Sequence, residues 1–336
     1  MSVTEELRVQ LEQFRLDFRL LRSEIGKVIV GQQEILDDML VALVAGGHVL
    51  LEGVPGLGKT LTVRTLADAL HLGFQRIQFT PDLMPADLIG TNMVAEDAEG
   101  RQVFEFQKGP LFANVVLADE MNRATPKTQS ALLEAMQEHS VTVAGTTHIL
   151  DEPFFVMATQ NPLEMEGTYP LPEAQLDRFF SKLLVKYPKA TDLELILDRT
   201  TETENPSAEP VLNGDRIIEM SQLARKIPIA DDVRRYGIAL VLSTHLDHEL
   251  VAEPTKKFVR YGSSPRGLQA LILGAKIRAI LDERYHVARE DLREMALPVL
   301  RHRLILNFEG QAEGISTDDV IQELLKSVPE DALAAA

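Results

Sequence analysis

Leu7, Leu11, Phe14, Phe18 and Leu21 recur at spacings of three and four, which predicts an amphipathic helix at the start of the chain. "GQQEILDDMLVALVAGG" predicts a second helix, stopped by Gly46 and Gly47. The pattern then changes to short apolar runs separated by longer segments: "HVLLEG", "FQRIQF", "NVVLADE", "FFVMATQN" and later "KLLVKY". Buried parallel strands read in this way, with helices between them, so the first 187 or so residues predict a doubly wound α/β domain. Two segments interrupt the rhythm. "DLIGTNMVAEDAEGRQVFEFQKGP" has two β-like arms around "EDAEG" and predicts a hairpin at about 88–107, while "HSVTVAGTTHILDEP" predicts another at about 139–150, turning at Ala144-Gly145.

The polar stretch 200–215, "TTETENPSAEPVLNGD", reads as a linker. Beyond it five helical segments follow, with Asp231, Ser264 and Ser316 as expected N-caps and Pro265 at a first helical position. The expected organisation is an N-terminal helix (1–25), an α/β core (26–199), a linker (200–215) and an all-helical second domain (216–336).

Composition narrows the function classes. The chain has 336 residues, 51 acids against 34 bases and a net charge of −17, where a nucleic-acid binder usually carries a basic excess. It has no cysteine, which removes disulfides, thiolate catalysis and thiolate-bound zinc. The N-terminus lacks an uninterrupted apolar core of the signal-peptide kind, and the longest apolar stretch, Met39 to Leu51, is shorter than the roughly 20 residues a membrane span needs. The expectation is a cytoplasmic protein without a membrane span.

The chemistry begins at "GVPGLGKT". Gly53, Gly56, Gly58, Lys59 and Thr60 fit G-x-x-x-x-G-K-[ST] after a strand and before a helix. Glycines let backbone N–H groups wrap phosphate oxygens, and the helix N-terminus adds its positive dipole end. Lys59 supplies a point charge to the β/γ-phosphates, and the Thr60 hydroxyl is a candidate Mg²⁺ ligand. In "VVLADE", Asp119 and Glu120 leave the C-terminal end of an apolar strand, where open α/β sheets bind ligands. Asp119 suits the Mg²⁺ shell, and Glu120 suits polarising a water for attack on the γ-phosphate. Asn161 ends the next strand run, where an Asn is usually a turn residue, and is also a neutral amide able to orient that water. Arg178 in "AQLDRFF" reads either as a salt bridge with Asp177 or another acid or as a cation for an anion. Arg266 in "SPRG" sits in a helix's first turn, which the dipole disfavours for a cation and an anionic partner would explain. Arg301, His302 and Arg303 form a small basic group read as a solvated or subunit-contact face.

Taken together, "GVPGLGKT", "VVLADEMNR", "ATQNP", "LPEAQLDRF" and "SPRG" resemble, in order and over nearly the whole chain, the MoxR family of AAA+ ATPases. The resemblance implies a P-loop AAA+ core with a helical lid. It makes the hairpin at about 88–107 a helix-2 insert and the one at about 139–150 a pre-sensor-1 hairpin. It further implies that the Walker A stretch, including Gly53, Pro55, Gly56, Leu57, Gly58, Lys59, Thr60 and Leu61, binds ATP, with Val30 of "VIVGQ" near adenine. Asp119 and Glu120 become Walker B, Asn161 sensor 1, Arg178 the arginine finger and Arg266 sensor 2, acting on its own or a neighbour's nucleotide. The implied partners are other copies in a hexameric ring, a protein with a von Willebrand factor A domain, and a client complex that ATP hydrolysis remodels. Three other classes compete: a helicase-type nucleic-acid motor, the motor subunit of a tetrapyrrole metal chelatase, and a small-molecule kinase. The acidic balance argues against the first, and the helical lid with its paired sensors against the last.

Overall fold

The computed structural model describes residues 5–96, 100–161, 168–201, 206–331 and 333. Helix α1 (Glu5–Val28) buries the predicted stripe of Leu11, Phe14, Phe18 and Leu21, extended by Ile25. Helix α2 (Gln33–Ala45) stops at Gly46, whose φ of 73° lies in the left-handed region that glycine adopts at little cost. Strand β1 (Val49–Glu52) follows, then α3 (Lys59–Ala69), β2 (Phe74–Gln78) and the short α4 (Pro85–Ile89). The chain continues as β3 (Gly90–Glu96), β4 (Gln102–Lys108), β5 (Val115–Asp119), α5 (Pro126–Glu138), β6 (Ser140–Val143), β7 (Thr146–Ile149), β8 (Phe155–Gln160), α6 (Glu173–Leu176), β9 (Ser181–Leu184) and α7 (Ala190–Thr201).

Five strands form one parallel sheet in the order β2-β5-β8-β1-β9. The chain leaves β1 for the edge strand β2, returns through β5 and β8 to β1's flank, then crosses to β9. That reversal opens a crevice at the C-terminal ends of β1, β8 and β5. Along β5, Val115 and Leu117 enter the core shared with α1, α2 and α3, while Val116 and Ala118 face the core under α5.

Both predicted hairpins form. Strands β3 and β4 pair antiparallel from Gly90↔Lys108 to Glu96↔Gln102, although 97–99 of the "EDAEG" turn lie outside the described residues. Strands β6 and β7 turn at Ala144 and Gly145, both at positive φ, as a two-residue hairpin turn of the primed kind requires. The two hairpins meet where Phe106 stacks on His148 with ring centroids 4.0 Å apart. Phe104, nearer the tip of its hairpin, is 79% exposed and Ile149, at the base of the other, 80%, so the aromatic pair of the β4 arm divides between packing and solvent.

After residues 206–213, which carry no helix or strand, come α8 (Gly214–Arg225), α9 (Asp231–Leu242), α10 (Glu253–Phe258), β10 (Val259–Tyr261), α11 (Pro265–Leu281), α12 (Arg289–Leu300), β11 (Ile305–Leu306), α13 (Phe308–Ala312) and α14 (Thr317–Ser327). The helical part thus includes a short antiparallel pair, β10 with β11. Ser264 and Ser316 cap their helices through side-chain acceptance from Arg266 N and Asp319 N. Asp231 does not cap: it is the first helical residue of α9, Ala230 holds the cap position, and the carboxylate pairs with Arg234. Arg301, His302 and Arg303 also depart from expectation. His302 and Arg303 are each 6% exposed, because all three side chains turn inward onto the core. Among the described residues, no helix is long and apolar enough to cross a membrane.

His48, just before β1, is buried and locked in one tautomer. Nδ1 accepts from Val156 N at 3.1 Å, and Nε2 donates to Met136 O at 3.0 Å. Burial pushes its pKa down to about 4, with His139 adding in the same direction. The unfolded chain binds the proton near the ordinary value, so stability present above pH 6.5 is lost as pH falls toward 4. Between about pH 7.5 and about pH 5 the group is expected to remove about 2 kcal/mol. Denaturant unfolding of wild type and His48→Gln at the two pH values measures it: the stability difference between them should change by that amount.

Candidate active site

The loop after β1 has the backbone a phosphate cradle needs. Gly56 and Gly58 have φ of 84° and 76°, where a side chain would be strained. A Cβ at Gly53 would lie 2.9 Å from Val185, so close packing excludes a side chain there too. Lys59 opens α3, and its Nζ donates to Gly53 O at 2.6 Å. Burial lowers the Lys59 pKa, opposed by the carboxylates of Asp119, Glu120 and Glu52. Charge-assisted hydrogen bonds contribute about 1.5–3 kcal/mol. Lys59→Ala is therefore expected to weaken ATP binding at least about tenfold, and calorimetric titration with ATP measures the change.

Strand β5 delivers the acidic pair. Asp119 is its last residue, and Glu120 follows with φ 56°, a left-handed backbone that a residue with a side chain rarely adopts. The Gln78↔Asp119 register on one flank and Ala118↔Ala158 on the other bring Gln78 and Thr159 level with the pair. Thr159 Oγ1 accepts from Glu120 N at 2.8 Å and donates to Asp119 Oδ1 at 2.6 Å, fixing both residues. Arg76 Nη2 donates to Asp119 Oδ2 at 2.6 Å, Gln78 Nε2 to Glu120 Oε2 at 2.9 Å, and Arg123 Nη1 to the same Glu120 oxygen at 2.8 Å.

The sequence reading missed Arg76, Gln78 and Thr159. The only local signal was the polar alternation of "RIQ" around buried Ile77.

A cleft of about 400 Å³ gathers Pro55 to Leu61 with Arg76, Gln78, Asp119, Glu120, Thr159 and Asn161. Asn161 is 6% exposed at the exit of β8; the following 162–167, including the proline of "ATQNP", lie outside the described residues. Thr60 and Asp119 bring a hydroxyl and a carboxylate to the same cleft, a hard oxygen donor set of the kind Mg²⁺ takes.

Joined to this cleft at Gly56, Leu57, Gly58 and Leu61 is a second, apolar pocket of about 240 Å³. Val28, Ile29 and Val30 form one wall, and Tyr187, Leu193 and Ile196 another. Val30, which the resemblance placed near adenine, lines this pocket; the wall from Leu193 and Ile196 of α7 had no sequence signal. A polar cleft continuous with an apolar slot suits a ligand with phosphates at one end and an aromatic base at the other.

Arg178 and Arg266 are elsewhere. The Arg178 cavity, about 580 Å³ along α5 and β6, shares no lining residue with the phosphate cleft. Arg178 Nη1 donates to Leu133 O at 2.8 Å. Arg266 reaches Gln137 Oε1 at 3.4 Å and lies 3.6 Å from Asp177. The Asp177 carboxylate meets Arg303 and Ser264 rather than Arg178.

Residues 48–181 match the model of the ATPase family associated with various cellular activities (AAA), and 252–324 match that of the AAA lid domain. The chain is 43% identical over 305 residues to chaperone MoxR1 of Mycobacterium tuberculosis, covering 91% of this chain and 80% of that protein. It is 45% identical over 309 residues to the uncharacterized protein YeaC of Bacillus subtilis, covering 91% and 92%. The crystal structure of a candidate ATPase from Cytophaga hutchinsonii superposes with a TM-score of 0.89 at 43% identity over 97% of each chain.

Proposed function

The chain belongs to the MoxR family of AAA+ ATPases and hydrolyses ATP; from that premise we propose that it works as a ring in which each active site is completed by the adjoining subunit, and whose hydrolysis drives the remodelling of a protein complex.

 The observation that carries this reading is the separation of charges. Glu120 lines the phosphate cleft of its own chain, whereas Arg178 and Arg266 lie on a different surface, along α5. In this reading a head-to-tail ring sets that surface of one subunit against the cleft of the next.

In this reading the backbone of Gly53 to Leu61 wraps the triphosphate, Lys59 neutralises it, and the Val30 pocket takes adenine. Thr60 and Asp119 would hold Mg²⁺, which would supply charge neutralisation to the triphosphate. Glu120 takes a proton from the attacking water, Asn161 orients that water, and the neighbour's Arg178 and Arg266 meet the developing charge. The functional units are the N-terminal helix 1–25, the core 26–199, the linker 200–215 and the lid 216–336. The hairpins and a partner with a von Willebrand factor A domain engage the client in the cytoplasm; the exposed Phe104 and Ile149 support the hairpin part of this. The test is assembly. Glu120→Gln with ATP and Mg²⁺ is expected to sediment as a hexamer, and a monomer at every nucleotide and protein concentration tried would remove the ring.

A further inference from the structure

Arg178 rides on an irregular segment, residues 177–180, between α6 and β9. A segment without helix or strand has no backbone ladder of its own to fix it, so other groups must hold its carbonyls. They come from the far end of the chain. Arg303 Nη2 donates to Asp177 O at 3.2 Å and Phe179 O at 2.6 Å, and its Nη1 to Phe180 O at 3.1 Å. His302 Nε2 donates to Phe179 O at 3.0 Å, and Arg301 Nη1 to Lys182 O at 3.2 Å. Three consecutive side chains after α12 therefore grip the backbone on which the arginine is mounted.

The same grip reaches Arg266. Arg303 Nε donates to Asp177 Oδ1 at 3.0 Å, and Ser264 Oγ, the cap of α11, donates to both Asp177 oxygens at 2.8 Å. Arg266, two residues further on, lies 3.6 Å from that carboxylate. Arg178 and Arg266 then contact Leu133 and Gln137, one turn apart on α5. Gly267 fits the arrangement: a Cβ there would come within 2.8 Å of Arg303 Cδ and 2.0 Å of Ser263 Oγ.

We propose that Arg303 and Asp177 are positioning residues that join the lid to the Arg178 segment, so that Arg178 and Arg266 are presented as one rigid pair of cations to the triphosphate on the adjoining subunit. This rests on the reading of Arg178 as a cation acting on a neighbour's nucleotide. The Arg303 side chain is 2% exposed. A guanidinium so buried is costly unless fully hydrogen-bonded, and here all its bonds except one to Val299 O are directed at the segment that carries Arg178. Lid and arginine consequently move together, and a change of lid angle in one subunit is felt at the next subunit's nucleotide.

The test compares Arg303→Met, Arg303→Lys and Asp177→Asn in steady-state hydrolysis, ATP binding, thermal melting and subunit mixing. Misplacing a positioned group by about 1 Å costs up to about 10²-fold, so Arg303→Met is expected to lower kcat about tenfold to a hundredfold with ATP affinity unchanged. Arg303→Lys keeps the charge but not the fork and should fall between Arg303→Met and wild type. Asp177→Asn keeps the shape and is expected to lose about threefold to tenfold, since charge-assisted bonds are roughly twice as strong as neutral ones. Mixing Arg303→Met with Glu120→Gln should raise hydrolysis, because the damaged protomer keeps its own cleft intact. Should Arg303→Met fail to melt cooperatively, Asp177→Asn decides. Wild-type kcat in Asp177→Asn or in folded Arg303→Met overturns the proposal, as does an Arg303→Met loss that mixing does not recover while Arg178→Ala does recover with Glu120→Gln. If Arg178→Ala itself fails to recover, the reading beneath the proposal has failed, which is a separate result.

Discussion

Arg178→Ala and Glu120→Gln subunits, each nearly inactive alone, are expected to regain ATP hydrolysis when mixed. The γ-phosphate gains negative charge on its equatorial oxygens in the transition state, and an arginine supplied in trans contributes about 10³–10⁵ in rate. Arg178 lies against α5, in a cavity that shares no residue with the cleft holding Lys59 and Glu120. An active site assembled from two chains needs a good glutamate from one and a good arginine from the next. In equal mixtures about a quarter of head-to-tail interfaces combine them by random assortment. Steady-state hydrolysis across a mixing series, with subunit exchange followed by labelled protomers, measures the effect. Activity that stays at the level of the separate variants after exchange would make Arg178 a residue of its own subunit's site or of its structure.

The second large effect is expected at Glu120. Gln78, Arg123 and Thr159 hold this residue, and its backbone is kept in the left-handed region by the turn out of β5. Glu120→Gln keeps side-chain length and shape but cannot take the proton from water. Turnover should fall by about 10²-fold or more. ATP binding should persist, because the phosphate contacts belong to the glycine loop and Lys59. Single-turnover hydrolysis together with nucleotide titration separates the two. Turnover near the wild-type rate would assign the proton acceptor elsewhere, and a parallel loss of binding would make Glu120 part of the phosphate or Mg²⁺ site instead.

Much of the fold was legible because its causes are local. The apolar runs from Val49, Val115 and Phe155 became parallel strands, and Ala144-Gly145 became the turn of a hairpin, since strand burial and turn dihedrals depend on residues only a few positions apart. Asp231 misled for the same local reason: an aspartate before a helix suits a cap, yet the helix had already begun with it.

By itself the sequence determined the glycine loop, with Lys59 and Thr60 at the start of its helix, and the acidic exit of β5, because spacing along one strand–loop–helix unit fixes where those groups point. Only the tertiary structure decided their partners. Arg76 meets Asp119 across 43 residues, because the order of the sheet makes β2 and β5 neighbours. Arg303 meets Asp177 across 126, because the end of α12 packs beside β9, which turned a basic triplet inward. Such pairings follow from which surfaces the cores bring together, and a pattern with a period of two or 3.6 residues carries no record of that choice.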